Sequence, residues 1–425
     1  MALRPADHRH RAVPRDPRGA AAAPGDARPR LRLAGRDGRE GGRARSAHRG
    51  GARLSRAPAG RTIEGVGDAR RERARRLWVR ARGPARGVRG VAPAVTTLAL
   101  RPPLPRSLYL ETTSRCNSLC ETCILTFGGR EPRKDLSWEE FRRVVDGFPV
   151  LERALLHGIG EPLLNRDLVR MVAHLKARGT TALFNSNAIT LGPRLGRQLI
   201  GSGLDELRVS LDATTPETYA RVRGVDAFRK VVSNLEELAA AKRDAGVGHP
   251  RVSLWFTGLR DNIEEIAGLV ELARRVGAEG INLQRLVYNG LGLATREQSL
   301  YGRLQEREAA LIRDTEAAAG AAGVEFSASG ATAPEVSLTP ARVDRPWSAC
   351  RRPWSLVYVT VHGNVLPCCI APWITEHYAG IVLGNLYEQS LEEIWWGERY
   401  LAFRREIQTD IPPEPCRGCG VKWSL

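Results

Sequence analysis

From Leu108 to about Leu286 the chain alternates short apolar runs with longer amphipathic ones, the rhythm of repeated strand-helix units. The pattern predicts six strands: Leu108 to Thr112, Arg153 to His157, Thr180 to Asn185, Glu206 to Leu211, Val252 to Phe256, and Ile281 to Leu286. Helix starts are marked between them. Ser137 with Glu140 makes a capping box, Thr215 precedes Pro216 at a first helical position, and Asp261 with Glu264 makes a second box. Gly147, Gly179, Gly203 and Gly277 mark helix ends. Six such units predict an α/β fold in which a parallel sheet curls into a partial (β/α)6 TIM-like barrel, with its chemistry at the C-terminal ends of the strands.

The rhythm breaks at residues 288 to 345. Arg296 to about Gly320 reads as one long Ala- and Glu-rich helix, and Ser327 to Arg345 as a linker without period. Beyond it come Cys350, an apolar run from Ser355 to Val361, a turn at His362-Gly363-Asn364, and a return run to Cys368-Cys369. A capping box from Ser390 to Glu393 then opens a helix through Ile394-Trp395-Trp396, and Cys416-Arg417-Gly418-Cys419 follows. The predicted organisation is residues 1–100 as a segment of its own, 105–290 as the barrel, 291–345 as helix and linker, and 346–425 as a small second domain.

Composition changes the picture mainly for the first segment. The formal charge of +18 points at first to nucleic acid, but residues 1–100 hold 25 Arg, no Lys and 8 acids, leaving the rest 40 basic against 39 acidic residues. The body is therefore close to neutral. The first hundred residues lack Cys, Phe, Tyr, Asn and Lys and show no apolar period, so they are expected to be a solvated, disordered basic tail or an arm for targeting or nucleic acid. A start assigned too early is a further reading; as only Met1 and Met171 exist, it needs a non-AUG codon, for example a valine between Val79 and Val95. No apolar stretch reaches membrane-spanning length and no signal peptide is visible, so a cytoplasmic protein is expected. All eight Cys lie at or beyond Cys116, in tight groups that read as metal ligands in a reducing compartment.

The candidate chemistry begins directly after the first predicted strand, at Cys116-Asn117-Ser118-Leu119-Cys120-Glu121-Thr122-Cys123. Three thiols spaced by three and two residues suit a loop around an iron-sulfur cube that leaves one iron open to a ligand. Zinc is the alternative, but structural zinc sites use a fourth nearby ligand, and no His lies near this loop. CxxxCxxC resembles the cluster motif of the radical S-adenosylmethionine (SAM) superfamily. The resemblance implies a SAM-binding 4Fe-4S cluster on Cys116, Cys120 and Cys123. It also gives a meaning to His157-Gly158-Ile159-Gly160-Glu161-Pro162, which resembles the superfamily's GGEP motif with Ile159 in place of one glycine; Gly160 and Glu161 would then hold the SAM amino group. The bland reading is a Gly-Pro turn, with His157 a packed strand-end residue. By the same resemblance, Ser186 and Asn187 lie in a turn beside SAM, Ser210 and Asp212 near its ribose or carboxylate, and Arg223 against its carboxylate. Asp212 and Arg223 equally suit a helix cap or an ion pair. Thr122 departs from the aromatic residue many relatives carry before the last cysteine.

A hairpin and helix as small as residues 346–425 need a metal centre to hold them. The order of Cys350, the turn glycine, Cys368, Gly384-Asn385, Ile394-Trp395-Trp396 and the Cys416/Cys419 pair resembles the SPASM/twitch domain. This implies one auxiliary 4Fe-4S cluster on Cys350, Cys368, Cys416 and Cys419, with a zinc ribbon as the alternative. Cys369 is left over, as a buried thiol beside the cluster or as a hydrogen-atom donor to a substrate radical.

The family resemblance implies reductive cleavage of SAM to a 5'-deoxyadenosyl radical, with electrons from a reductant such as flavodoxin or ferredoxin. No peptide-binding winged-helix pattern is recognisable before residue 105, which favours a small polar substrate undergoing dehydrogenation or epimerisation. A ribosomally made peptide receiving a crosslink or other modification is the alternative, and a non-catalytic zinc protein is an alternative of another class. Neither a membrane nor nucleic acid is an expected partner.

Overall fold

The computed structural model describes residues 98–330, 333–340 and 345–417. The expectations placed on residues before 98, and Cys419, lie outside the described residues.

Six parallel strands form in the predicted order: β1 (Ser107–Leu110), β2 (Arg153–Leu155), β3 (Thr181–Ser186), β4 (Glu206–Ser210), β5 (Arg251–Gly258) and β6 (Gly280–Arg285). Between them run α1 (Trp138–Asp146), α2 (Leu168–Ala177), α3 (Pro193–Gly201), α4 (Pro216–Arg223), α5 (Phe228–Asp244) and α6 (Gly268–Val276). Side-chain alternation divides the two faces of the sheet. Leu108, Leu110, Ala154, Phe184, Leu207, Val209, Leu254, Phe256, Ile281 and Leu283 are buried in one core with Phe141 and Val145 of α1 and Met171 and Leu175 of α2. Burial of each large side chain there is worth about 1.5–3 kcal/mol. Their neighbours Tyr109, Arg153, Asn185, Arg208, Trp255 and Asn282 keep partial exposure, so the opposite face lines a polar lumen.

The expected caps are present at α1, where the Glu140 amide donates to Ser137 Oγ at 3.2 Å and the Ser137 amide to Glu140 at 3.0 Å, and at α4, capped by Thr215. Gly277 closes α6 in the left-handed region at φ +64°. The box expected at Asp261 does not form. Asn262 occupies the cap position of a 3-10 turn over Ile263–Ala267, and its side chain instead ties Leu259, Thr257 and Asp212 together.

The segment after β6 departs from expectation in two places. Its helix, α7 (Glu306–Ala321), starts ten residues later than the composition indicates, where Gln305 and Glu308 make a capping box. Residues 296–305 form turns, with Ser299 bridging to Leu259. Glu325–Ala328, at the start of the expected linker, is a seventh parallel strand, β7, on the outer edge of β6.

The C-terminal hairpin, β8 (Leu356–Val359) and β9 (Asn364–Leu366), joins the same sheet. β8 runs parallel to β1, with Tyr358 opposite Tyr109, and a two-residue β10 (Gly384–Asn385) completes the order β10-β9-β8-β1-β2-β3-β4-β5-β6-β7. Two helices, α8 (Leu391–Trp395) and α9 (Glu398–Glu406), cover this end. They also hold the entry to β1. The indoles of Trp354, Trp395 and Trp396 donate to the carbonyls of Ala99, Pro103 and Pro102 at 2.7, 3.0 and 2.9 Å, and the buried Arg404 guanidinium reaches the carbonyl of Leu100.

Candidate active site

The three cysteines of the first motif sit on the loop that leaves the C-terminal end of β1. Two backbone bonds pin this loop to the end of α4: the amide of Leu119 donates to the carbonyl of Arg223 at 3.2 Å, and that of Glu121 to the carbonyl of Val222 at 3.0 Å. Gly224 makes the approach possible, because a Cβ there would lie 2.0 Å from the Leu119 carbonyl oxygen. Tighter turns follow inside the loop, with the Cys123 amide donating to Cys120 O and Thr126 Oγ1 donating to the same oxygen.

Cys120 is buried, and Cys116 and Cys123 are partly so. Burial pushes the Cys116 thiol up, and burial together with neighbouring Cys120 pushes Cys123 up to about 12. Such thiols ionise when a cation compensates them, as metal ligation does. The donors around them match a cluster's sulfurs: the Ser118 amide lies 3.4 Å from Cys116 Sγ and Asn187 Nδ2 lies 3.9 Å from it. Among the described residues, no three Cys, His, Asp or Glu side chains converge as the ligands of a single ion would. The fit to a cluster therefore rests on the donor set: three desolvated thiols on one loop, with the positive charge of Arg223 acting on Cys116 and Cys123.

The Gly-Ile-Gly-Glu-Pro loop after β2 packs on this loop. A Cβ at Gly160 would lie 2.2 Å from the carbonyl oxygen of Thr113 and 2.7 Å from that of Arg115, and the Glu161 amide donates to Arg115 O at 2.8 Å. Gly158 is similarly crowded by the Glu111 side chain, so both glycines serve a close approach between protein segments. Glu161 is 2% exposed, and its carboxylate accepts from the Leu163 amide, Ser186 Oγ and the Asn187 amide at 3.0, 2.7 and 2.7 Å. Burial pushes its pKa up, against those three donors. Glu161, Ser186 and Asn187 are thus brought together, and Asn187 Nδ2 extends the network to Asn117 at 2.8 Å.

Ser210, at the end of β4, faces the lumen in partial exposure. Asp212 adopts a left-handed backbone at φ +61° and accepts from the Thr257 amide at 2.7 Å and from Arg223 Nη1 at 2.9 Å. Arg223 Nε is buried without a partner. His157 opens onto the lumen but is surrounded by protein, and desolvation with the nearby Arg208 charge lowers its imidazole to about 4.

Sequence reasoning missed Glu111 and Glu131. Glu111, 2% exposed, accepts from the Tyr358 hydroxyl and the Val361 amide. Burial raises it to about 7. Glu131 Oε1 accepts from Thr360 Oγ1, Asn364 Nδ2 and Tyr378 OH at 3.1, 2.7 and 2.7 Å. Both carboxylates line a cleft of about 310 Å³ with Arg130, Ile159 and Tyr378, between the cysteine loop and the C-terminal region. A charged residue ending the apolar run Leu108-Tyr109-Leu110 was the available signal for Glu111.

A second group of thiols lies at the far end of β8. Cys350, Cys368 and Cys416 line one cleft of about 430 Å³, walled mainly by Trp347, Pro353, Ile370, Ile374, Phe403 and Ile407. Three thiols around an apolar hollow suit an iron-sulfur cluster held in low dielectric. Cys369 is not on that wall; its Sγ accepts from Arg352 Nη1 at 3.2 Å.

A parallel barrel that carries a three-thiol loop at a strand end, with a second thiol group in the C-terminal region, is the architecture of an iron-sulfur radical enzyme. Residues 110–273 match the radical SAM superfamily and residues 350–420 match SPASM, an iron-sulfur cluster-binding domain. A PqqA peptide cyclase of Xanthomonas campestris is 30% identical over 323 residues, covering 75% of this chain and 80% of that protein. One from Granulibacter bethesdensis is 26% identical over 320 residues, covering 74% and 79%. Among solved structures, SuiB of Streptococcus suis bound to S-adenosylmethionine aligns at a TM-score of 0.58 with 16% identity, covering 71% of this chain and 68% of that one. SuiB bound to the precursor peptide SuiA aligns at 0.57 with 13% identity, covering 79% and 78%. The chain belongs to the radical SAM superfamily and carries a C-terminal SPASM domain. The cofactors of that family are SAM, a 4Fe-4S cluster and, in the SPASM domain, auxiliary iron-sulfur.

Proposed function

We propose that the protein is a peptide-modifying radical SAM maturase. The observation that carries this reading is the 30% identity to a PqqA peptide cyclase across 80% of that protein. It displaces the small polar substrate favoured by the sequence, a preference that rested on not recognising a winged helix before residue 105. Peptide modification, the alternative there, becomes the main reading.

In this reading Cys116, Cys120 and Cys123 hold the cluster that binds SAM, and Cys350, Cys368, Cys416 and Cys419 hold the auxiliary one. When bound, the first cluster and SAM supply a 5'-deoxyadenosyl radical that abstracts a hydrogen atom from an unactivated C–H bond. The chain's own residues position and shield. Glu161 fixes the Ser186-Asn187 turn against the cysteine loop, so that the Asn187 side chain presents its amide beside Cys116, while Gly160 allows the close packing of its own loop on Thr113 and Arg115. Ser210 and Arg223 Nε are the remaining polar groups available to SAM. Electrons would come from a reductant such as flavodoxin or ferredoxin. The auxiliary cluster, if held by Cys350, Cys368, Cys416 and Cys419, would supply an electron acceptor for an oxidative modification or would serve to support the domain.

The test is anaerobic reconstitution, followed by SAM and dithionite with and without peptide, using the PqqA peptide and a mixed-sequence synthetic pool as probes. Two cube clusters give roughly eight irons per chain, falling to about four when Cys116, Cys120 and Cys123 become Ala. A peptide that raises 5'-deoxyadenosine formation and loses mass corresponding to two hydrogens supports the reading. Stimulation by aminocyclitols or sugars but by no peptide would return the substrate to the small-molecule class, and zinc without iron would remove the enzymatic reading.

A further inference from the structure

We propose that the middle of the barrel lumen, built around Arg208 and Asn185, is a subsite for a carboxylate carried by the substrate. The placement follows from register. Asn185 on β3 is directly opposite Arg208 on β4, and Arg208 is opposite Ser253 on β5, so these side chains leave the same face of the sheet. His157 of the β2 end and Arg153 at the start of β2 face the same lumen.

Two observations show that this layer wants a ligand. Arg208 Nε and Asn185 Oδ1 are both buried without a hydrogen-bond partner, on neighbouring strands and in register. A buried donor or acceptor left unmade costs about 1–3 kcal/mol, so an unpaired donor and an unpaired acceptor in register on adjacent strands mark a place where a partner is missing. The Arg208 fork is meanwhile held in place: its guanidinium lies over the Trp255 ring at 4.7 Å, and Nη2 donates to Glu206 at 3.1 Å. The unpaired Nε belongs to a fixed group.

Charge selects the class of ligand. Glu206 is shared between Arg208 and Arg251, and Arg251 also pairs with Glu325, so those four charges balance. Arg153 is left over. Among the described residues it has no carboxylate within ion-pair distance; the Tyr109 hydroxyl lies beside it, the charge of Glu206, already shared by two arginines, acts on it from further away, and burial lowers its pKa. His157 is held neutral by the same surroundings and adds no acid. A lumen with one surplus buried guanidinium and an unpaired Nε complements an anion, and the planar fork matches a carboxylate. Rotating the Asn185 amide puts its Nδ2 in place of Oδ1 and supplies a second donor. The subsite deepens the peptide reading, which sets the size of the probes: acidic side chains on a peptide backbone.

The experiment is ligand-observed NMR titration of reconstituted, SAM-loaded holoenzyme with the N-acetyl methylamides of aspartate, glutamate, asparagine, glutamine and lysine. The two acids are expected to bind at least tenfold more tightly than their amides, and Arg208→Gln to erase that difference. Asn185→Asp, nearly isosteric, places a second carboxylate in the layer and is expected to turn the preference toward lysine, so the proposal is tested even if Arg208→Gln does not fold. Equal binding of acids and amides to the unaltered enzyme, or an acid preference that survives both substitutions, would overturn the subsite. An acid preference in an enzyme whose 5'-deoxyadenosine formation responds to no peptide would leave the subsite standing and remove the peptide reading.

Discussion

Asp212 and Arg223 form an ion pair of 2.9 Å, with side chains only 4% and 11% exposed, that joins the C-terminal end of β4 to the last residue of α4. The carbonyl of the same Arg223 receives the Leu119 amide of the cysteine loop. The pair therefore links the strand end, the helix and the loop, which answers whether these residues pair with each other or stand free for SAM: Nη1 is committed to Asp212, while Nε is not. Removing one partner leaves a buried charge uncompensated. Arg223→Met and Asp212→Asn are each expected to destabilise by about 3–5 kcal/mol, and the double variant by less than the sum. Denaturant midpoints of the four proteins measure this; strict additivity would mean that the pair is not coupled.

The Glu111 carboxyl gives a pH dependence with a definite sign. Burial raises its folded-state pKa from 4.5 to about 7, so the native state holds its proton more tightly than the unfolded chain does. This contribution to stability is fully present below pH 4.5 and is lost as pH rises through 7, amounting to about 3 kcal/mol. Glu111→Gln cannot titrate. Its stability, measured against the unaltered protein between pH 4.5 and 8, is expected to gain ground steadily as pH rises. A constant offset of about 1 kcal/mol against the variant accompanies this, because the neutral amide oxygen introduced by Glu111→Gln accepts less well from the Val361 amide. A difference that does not change across that range would show that Glu111 does not titrate there.

The elements that depend on local sequence were legible. Six strands and the Ser137, Thr215 and Ser390 caps follow from apolar period and cap chemistry, because those signals act within a few residues. What escaped depends on contacts far apart in the chain. Glu325–Ala328 has no period of its own and is a strand because β6 offers an edge to it. The pairing of β8 with β1 joins residues some 250 positions apart. The site shows the same division. The two glycines of the Gly-Ile-Gly-Glu-Pro loop are visible in sequence, but that Gly158 yields to Glu111 and Gly160 to the Thr113 backbone becomes visible only in three dimensions.

The strap at the start of the described chain sets where the sequence can be shortened. Three indole N–H groups and Arg404 Nη1 donate to the carbonyls of residues 99 to 103. A chain beginning at residue 97 keeps all four bonds, and its melting temperature is expected to match that of the full chain. A chain beginning at residue 106 leaves the partly buried indole N–H groups of Trp395 and Trp396 without their acceptors, at about 1–3 kcal/mol each, and is expected to melt well below it. Equal melting of the two shortened chains would mean that the strap contributes nothing.

Gly160 and Gly224 separate loop position from ligand chemistry, because neither has a side chain and both press on the carbonyls of the cysteine loop. A Cβ at Gly160 would sit 2.2 Å from Thr113 O, and one at Gly224 would sit 2.0 Å from Leu119 O. The obstruction is backbone in both cases and cannot rotate away, and Gly224 also needs its left-handed φ of +69°. Alanine at either position must therefore displace the loop that carries Cys116, Cys120 and Cys123 while leaving every thiol in the chain. Iron is expected to fall from roughly eight to about four per chain, the same fall expected when those cysteines themselves are replaced. Gly246→Ala provides the comparison: it too has positive φ, at +63°, but its Cβ meets no atom within 4 Å. It should lose a little stability and no iron. Full iron in Gly160→Ala and Gly224→Ala would show that the loop can move without losing its cluster, and that these close approaches do not set the geometry of the site.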